Sequence, residues 1–303
     1  MNTLIAISSI YLFIFIGYVC KKVFKSQIDE KTLILLSVYF LQPILTFWGL
    51  TRVSLNDELL YVPIIYLIII FTVLVFLMLI AKYIFEDEKD KAIFIVSSLI
   101  GNTGNLSIPL GIAFFGESSV PYTSIINIAN VFFMYTVGVY FYAKSSFSFK
   151  DSIKSMLKIP IIWVAIFALL YNHFKLPIHP QVNQILEMGS YAGIVLQLII
   201  LGVYLSSISL RGHHYKLSFS VSFVKLILLP AVGVIFVLYS GLSSEVSIIL
   251  IISLVAPLAV TNLNMAALYD CKSYEVAGVI FVSSFLFLFL VYFDLEIAHW
   301  IFG

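Results

Sequence analysis

Apolar residues run in long blocks along this chain, at about residues 3–20, 32–51, 60–84, 92–115, 121–143, 159–174, 188–208, 217–239, 246–268 and 276–301, with short polar segments between them. About 20 apolar residues in a helix cross a hydrocarbon core about 30 Å thick, so the pattern predicts ten membrane-spanning helices. Two blocks are interrupted in the middle. The fourth carries Gly101-Asn102-Thr103-Gly104-Asn105 and then Pro109, and the ninth carries Pro257 followed by Thr261, Asn262 and Asn264. Proline lacks an amide donor and glycine is a poor helix former, so Gly101, Gly104, Pro109 and Pro257 are expected to break the helical ladder. Such backbone survives at membrane depth where it is buried in protein or lines a cavity, which marks both breaks as candidate solute sites.

Composition agrees with the pattern. Of 303 residues, 61% are hydrophobic and 11% charged, and the mean hydropathy is +1.07. The spans consume nearly the whole chain and leave no room for a soluble catalytic domain. They contain no HExxH sequence, clustered acids or nucleophile and base pair, so an enzyme is not expected. The first block lacks a basic leader and a small-residue cleavage site and is read as a span. Cys20 and Cys271 fall at segment ends on the same expected side, and neither a disulfide framework, a metal site nor a cofactor is expected.

Charge sets the expected orientation. With the N-terminus outside, the inner loops hold fourteen Lys and Arg residues and the outer loops hold Arg52 and Lys175 alone, which predicts a multi-pass protein of the plasma membrane with both termini extracytoplasmic. The longest inner loop divides the chain into residues 1–143, a cytoplasmic linker 144–158, and residues 159–303. Five spans per half give the halves opposite orientations, and each half is broken in its fourth span. Paired breaks of this kind point to a secondary-transporter site. The expected fold class is an all-α polytopic membrane protein, ten transmembrane helices in two inverted five-helix repeats.

The segment Ile100-Gly-Asn-Thr-Gly-Asn-Leu-Ser-Ile-Pro-Leu-Gly111 with Phe115-Gly116-Glu117 resembles the fourth-span signature of the auxin efflux carrier family. Ala256-Pro-Leu-Ala-Val-Thr-Asn262 with Tyr269 is similar to its ninth-span motif, and weaker echoes occur at Leu41-Gln42-Pro43, from Asn127 to Gly138, at Leu201-Gly202-Val203 and at Leu228-Leu229-Pro230. The resemblance implies that the fourth and ninth helices unwind and cross at the membrane midplane, and that a small organic anion is carried. The family commonly has Asn where this chain has Thr261, with Asn262 one place later.

Candidate substrate-binding residues follow from polarity at span depth. Asn102 and Asn105 sit near the middle of the fourth block, where an amide either meets solute or caps a half-helix. Thr261 and Asn262 are their counterparts in the ninth. Asn127 and Asn130 share a face of the fifth span with Thr123, and Gln197 joins Ser190 on the seventh; bonding between helices is the competing use of all of these. Lys225 lies about 13 Å into the eighth span from Lys216, on one face with Ser218 and Ser222, which suggests a polar stripe open to the inside and a cation that balances an anion. His213 and His214 are expected to be solvated in an inner loop. No acid sits at mid-span, which argues against an obligatory cation exchanger. The expected activity is secondary transport of a small organic anion, a mono- or dicarboxylate, by alternating access; the alternative is a sodium-coupled symporter of the same fold. The expected partners are the anion, the lipid bilayer and, as an open alternative, a second copy of the chain in a homodimer; nucleic acid is not expected.

Overall fold

The computed structural model of the chain describes residues 2–52, 54–143, 154, 157–208 and 213–302. The expected linker 144–158 falls almost wholly outside the described residues. Regular structure among the described residues is helical apart from one isolated β-bridge. Six helices are long and apolar enough to cross a membrane: Glu30–Leu50, Asp57–Ile84, Thr103–Ala143, Pro180–Ser207, Tyr215–Leu238 and Ser273–Phe302. Thr103–Ala143 covers parts of two expected spans, because Gly116–Ser119 forms a tight turn within it and Gly116 takes a φ of 71°.

In chain order the helices are α1 Asn2–Phe24, α2 Glu30–Leu50, α3 Asp57–Ile84, α4 Glu88–Ser97, α5 Ile108–Phe115, α6 Val120–Phe133, α7 Val139–Ala143, α8 Pro160–His173, α9 Pro180–Ser207, α10 Tyr215–Leu238, α11 Ser244–Val255, α12 Thr261–Leu268 and α13 Ser273–Phe302. Local chemistry sets several starts. Asp29 accepts from the amides of Lys31 and Thr32 ahead of α2, Asn56 accepts from Leu59 N at 2.8 Å to cap α3, and Asp87 accepts from Asp90 N at 3.0 Å to cap α4.

Both predicted breaks are present. α4 has 10 residues and α11 has 12, hence about 15 and 18 Å of helix, or about half of a hydrocarbon core. Beyond the breaks the chain resumes as a π turn Thr103–Ser107 leading into α5, and as α12. Wide π turns recur at Ser37–Leu41, Met134–Gly138 and Val224–Leu228. Pro43, Pro109 and Pro230 each follow one of these turns by two residues. A proline cannot donate to the carbonyl four residues back, and a widened turn is one way for the helix to continue.

The helices pack in two groups. α1 runs along α9, and α2 packs on α8 and α9. The second group joins α3, α6, α10, α11 and α13 and contains both breaks. Its core includes Tyr66, Ile69, Phe133, Leu226, Leu250 and Ile280, all fully or almost fully buried.

Candidate functional site

The two breaks meet. Asn102 N donates to Pro257 O at 2.7 Å, and Gly101 and Leu258 form an antiparallel bridge, so each unwound strand supplies backbone partners that the other has lost from its helix. Leu258 N, on the second break, also reaches Ser283 Oγ of α13 at 3.3 Å.

Asn130 holds the first break from α6. Its Nδ2 donates to Gly101 O at 2.8 Å and to Thr103 Oγ1 at 3.1 Å, while its Oδ1 accepts from Gly101 N at 3.3 Å and from Tyr66 Oη at 3.0 Å. The side-chain amide thus stands in for the missing helical neighbours of one residue. One turn earlier, Asn127 Oδ1 accepts from Thr103 Oγ1 at 2.8 Å and lies against Gly104.

A cavity of about 750 Å³, its open mouth included, lies beside the crossing and between the two helix groups. The broken segments supply Gly101 to Asn105 and Ala259 to Thr261 with Asn264, and α6 adds Asn127 and Asn130. The opposite wall is largely apolar, with Ile34, Val38, Ile159, Ile161 and Ile200 joined by Ser37 and Gln42. Asn102 is 3% exposed, and its Nδ2 has no hydrogen-bond partner among the described residues. Asn105 accepts from Gln42 Nε2 at 3.4 Å, across the gap between the groups.

Of the sequence candidates, the structure therefore gathers Asn102, Asn105, Asn127, Asn130 and Thr261 around one cavity, with Gly101 and Gly104 in its wall. Pro109 shapes the start of α5, and Pro257 presents its carbonyl to Asn102. Three candidates lie elsewhere. Asn262 is fully buried, accepts from Tyr142 Oη at 3.2 Å and donates to Ala259 O at 3.0 Å. Gln197 is fully buried one turn from Ile200, and neither of its amide atoms has a partner among the described residues. Lys225 is fully buried and donates to Leu99 O at 3.3 Å, outside the cavity lining. Thr123 and Ser190 bond to carbonyls of their own helices.

Two expectations are corrected. Ser218, Ser222 and Lys225 do share a face, but it is buried against neighbouring helices and not open to the inside. His213 is also buried: its Nδ1 lies 2.8 Å from Glu275 Oε2 and its Nε2 lies 2.5 Å from Ser218 Oγ. The ring fits because residue 278 is glycine, where any Cβ would collide with the imidazole. Burial holds the His213 pKa below its ordinary value, with the Glu275 carboxylate pulling the other way. His214, by contrast, is half-exposed, 3.5 Å from Asp90.

The same end of the molecule carries a wider polar cluster. Lys272 Nζ lies 2.7 Å from Asp90 Oδ1 and 2.9 Å from Asp87 Oδ1, which joins the start of α4 to the turn after α12. Hydrogen bonding to Lys272 holds the Asp87 carboxyl below the usual range.

Ser37, Gln42, Met134 and Tyr135 line the cavity without having been candidates. Gln42 was legible as a polar residue beside Pro43, within an apolar block; the others carry no signal that separates them from packing residues.

Two broken helices that meet beside a cavity fit the architecture of a carrier, and the comparisons with known proteins agree. The family described as "Membrane transport protein" matches residues 3–156 and 146–293. The chain belongs to this family, the auxin efflux carriers. An uncharacterized transporter of Methanocaldococcus jannaschii is 25% identical over 287 residues, covering 91% of this chain and 92% of that protein. This auxin efflux carrier family member is accordingly a multi-pass membrane transporter and not an enzyme.

Proposed function

We propose that this protein is a secondary transporter of a small organic anion, a mono- or dicarboxylate, that works by alternating access around the crossed breaks. The observation that carries the reading is the 2.7 Å bond from Asn102 N to Pro257 O, because it brings the starts of both resumed helices, at Thr103 and Thr261, to one cavity. The positive end of the helix dipole favours an anion at such starts, by about 0.3–1 kcal/mol each when exposed and up to about 2 kcal/mol when partly buried. The Nδ2 of Asn102, which has no partner among the described residues, adds a donor without a full charge. Asn102, Asn105, Asn127 and Thr261 are the proposed ligands. Asn130 and Asn262 act as positioning residues.

The wall chemistry supports relative motion of the two helix groups. One wall is polar and carries the proposed ligands, whereas the other is mostly isoleucine and valine, so the ligand stays with the crossing while the apolar wall slides past it. The lining residues Ile34, Tyr135, Ile159 and Ile200 belong to the span halves that the proposed orientation puts towards the cytoplasm, which supports reading this conformation as inward-facing. The outer side is held by the Arg52 and Glu117 ion pair, with Tyr191 Oη donating to the same carboxylate and Arg52 stacked 4.4 Å over Trp48. Ten spans in two inverted halves, residues 1–143 and 159–303, with both termini extracytoplasmic in the plasma membrane, complete the reading.

Thermal unfolding of the purified full-length protein against a panel of mono- and dicarboxylates tests the anion class, since a ligand that binds only the folded state raises the unfolding temperature. Saturable exchange of the responding carboxylate in proteoliposomes is the expected companion result. Unfolding temperatures unmoved by every carboxylate, together with saturable uptake of a neutral or cationic solute, would overturn the anion assignment.

A further inference from the structure

Lys225 stands in the π turn Val224–Leu228 of α10 and is completely buried, yet the ion pairs among the described residues include none to it. Its ammonium donates to Leu99 O, just past the C-terminus of α4, at 3.3 Å. A Cβ added to Gly101 would lie 3.0 Å from Lys225 Nζ and 3.3 Å from the carbonyl oxygens of both Ser253 and Ala256. The ammonium therefore shares the narrow space beside Gly101 with carbonyls at the C-terminal end of α11, and a side chain at residue 101 would crowd it. C-terminal carbonyls of both half-helices thus lie close to one buried cation, with Leu99 O its hydrogen-bond partner. Each such end carries roughly half a negative charge, so two together match about one ammonium.

Freed carbonyls and half-helix C-termini are also the groups with which broken-helix transporters hold a sodium ion. We propose that the Lys225 ammonium is a tethered counter-ion filling a monovalent-cation site at the crossing, so that the carrier needs no sodium there and removal of the side chain creates a sodium site. The opposite, positive helix ends then remain unneutralised for the transported anion.

Lys225→Ala clears the side chain and leaves the carbonyls facing an empty space; Lys225→Met keeps most of the volume and removes the charge. Full-length protein in detergent, without substrate, is unfolded thermally in sodium chloride or choline chloride at equal ionic strength. The absence of substrate separates this result from the fate of the organic-anion reading. Wild type is expected to unfold at the same temperature in both salts. Lys225→Ala is expected to unfold roughly 5 °C or more below wild type in choline and to recover at least half of that loss saturably in sodium. Lys225→Met is expected to lose a similar amount and recover none, because the thioether fills the space an ion needs. If Lys225→Ala cannot be purified in choline, the yield of folded protein extracted in sodium is the readout, and restored yield supports the site. Equal failure in both salts, equal unfolding temperatures of Lys225→Ala in both, or a sodium response in wild type as large as that of Lys225→Ala would each overturn the proposal.

Discussion

The two breaks meet at one crossing but are held by different chemistry. The first is supported by side-chain amides from α6, with Asn130 replacing both backbone partners of Gly101 and Asn127 bonded to Thr103. It turns a run of polar residues, Asn102 to Asn105, towards the cavity. The second is supported by hydroxyls and by its neighbour strand: Ser283 Oγ accepts from the Leu258 amide, and Tyr142 Oη donates to the Asn262 side chain. It offers the cavity Thr261 and Asn264, while Asn262 points into the core. The first break thus lends the cavity more polar side chains than the second, whose Asn262 is turned into the core.

The largest expected effect comes from removing the prop of the first break. Asn130→Leu leaves the Gly101 amide and carbonyl buried without partners, at about 1–3 kcal/mol for each group. The unfolding temperature is expected to fall by roughly 5 °C or more and transport to be lost, measured by thermal unfolding and by proteoliposome flux. Wild-type stability in this variant would mean that Asn130 does not hold the break. Asn102→Ala sharpens the contrast, since its Nδ2 has no partner among the described residues. Transport efficiency is expected to drop about tenfold or more, corresponding to about 1.4 kcal/mol, with the unfolding temperature within about 2 °C of wild type. A matching loss of stability would move Asn102 from recognition to scaffolding.

A smaller, opposite split is expected in the second half. Asn262→Ala removes two buried hydrogen bonds and is expected to lower stability by about 1–3 kcal/mol with substrate KM nearly unchanged. Thr261→Ala, whose hydroxyl lies 3.4 Å from Met134 Sδ at the cavity wall, is expected to raise KM a few-fold with stability intact. The reverse pattern would make the second break a recognition element equal to the first.

The least effect concerns the polar cluster that ties the starts of α4, α10 and α13. Burial places the folded His213 pKa below the ordinary imidazole value of about 6.5. Its stabilising contribution is complete above that value. As the pH falls below about 6.5 the unfolded chain binds a proton that the folded protein resists, and stability declines until the folded pKa is passed. Unfolding temperatures measured across this range are expected to fall towards acid in wild type and to fall less in His213→Gln. Identical slopes would place the titrating group elsewhere.

The sequence alone determined the medium, the helical class and the location of both breaks, because each rests on local rules. About twenty apolar residues in a row are long enough to span, and a cluster of glycine, asparagine and proline within such a block weakens the helical ladder locally, whereas a lone proline such as Pro63 stays inside its helix. The six long apolar helices and the two broken segments follow from this, as does the choice of Asn102 and Asn105 as cavity residues. Tertiary structure decided the direction of each polar side chain. Thr261 and Asn262 are adjacent in sequence, so helical periodicity sends one to the cavity and the other to Tyr142, and no local rule says which face the cavity takes. Asn130 was legible as a polar residue at span depth, but its engagement of Gly101 needs α6 packed against the break. His213 could be read as a loop histidine until α13 supplied Glu275 and the space above Gly278. Lys225 is the sharpest case: its charge and depth were plain in the sequence, whereas its partner, a carbonyl 126 positions away, exists only because two interrupted helices meet beside it.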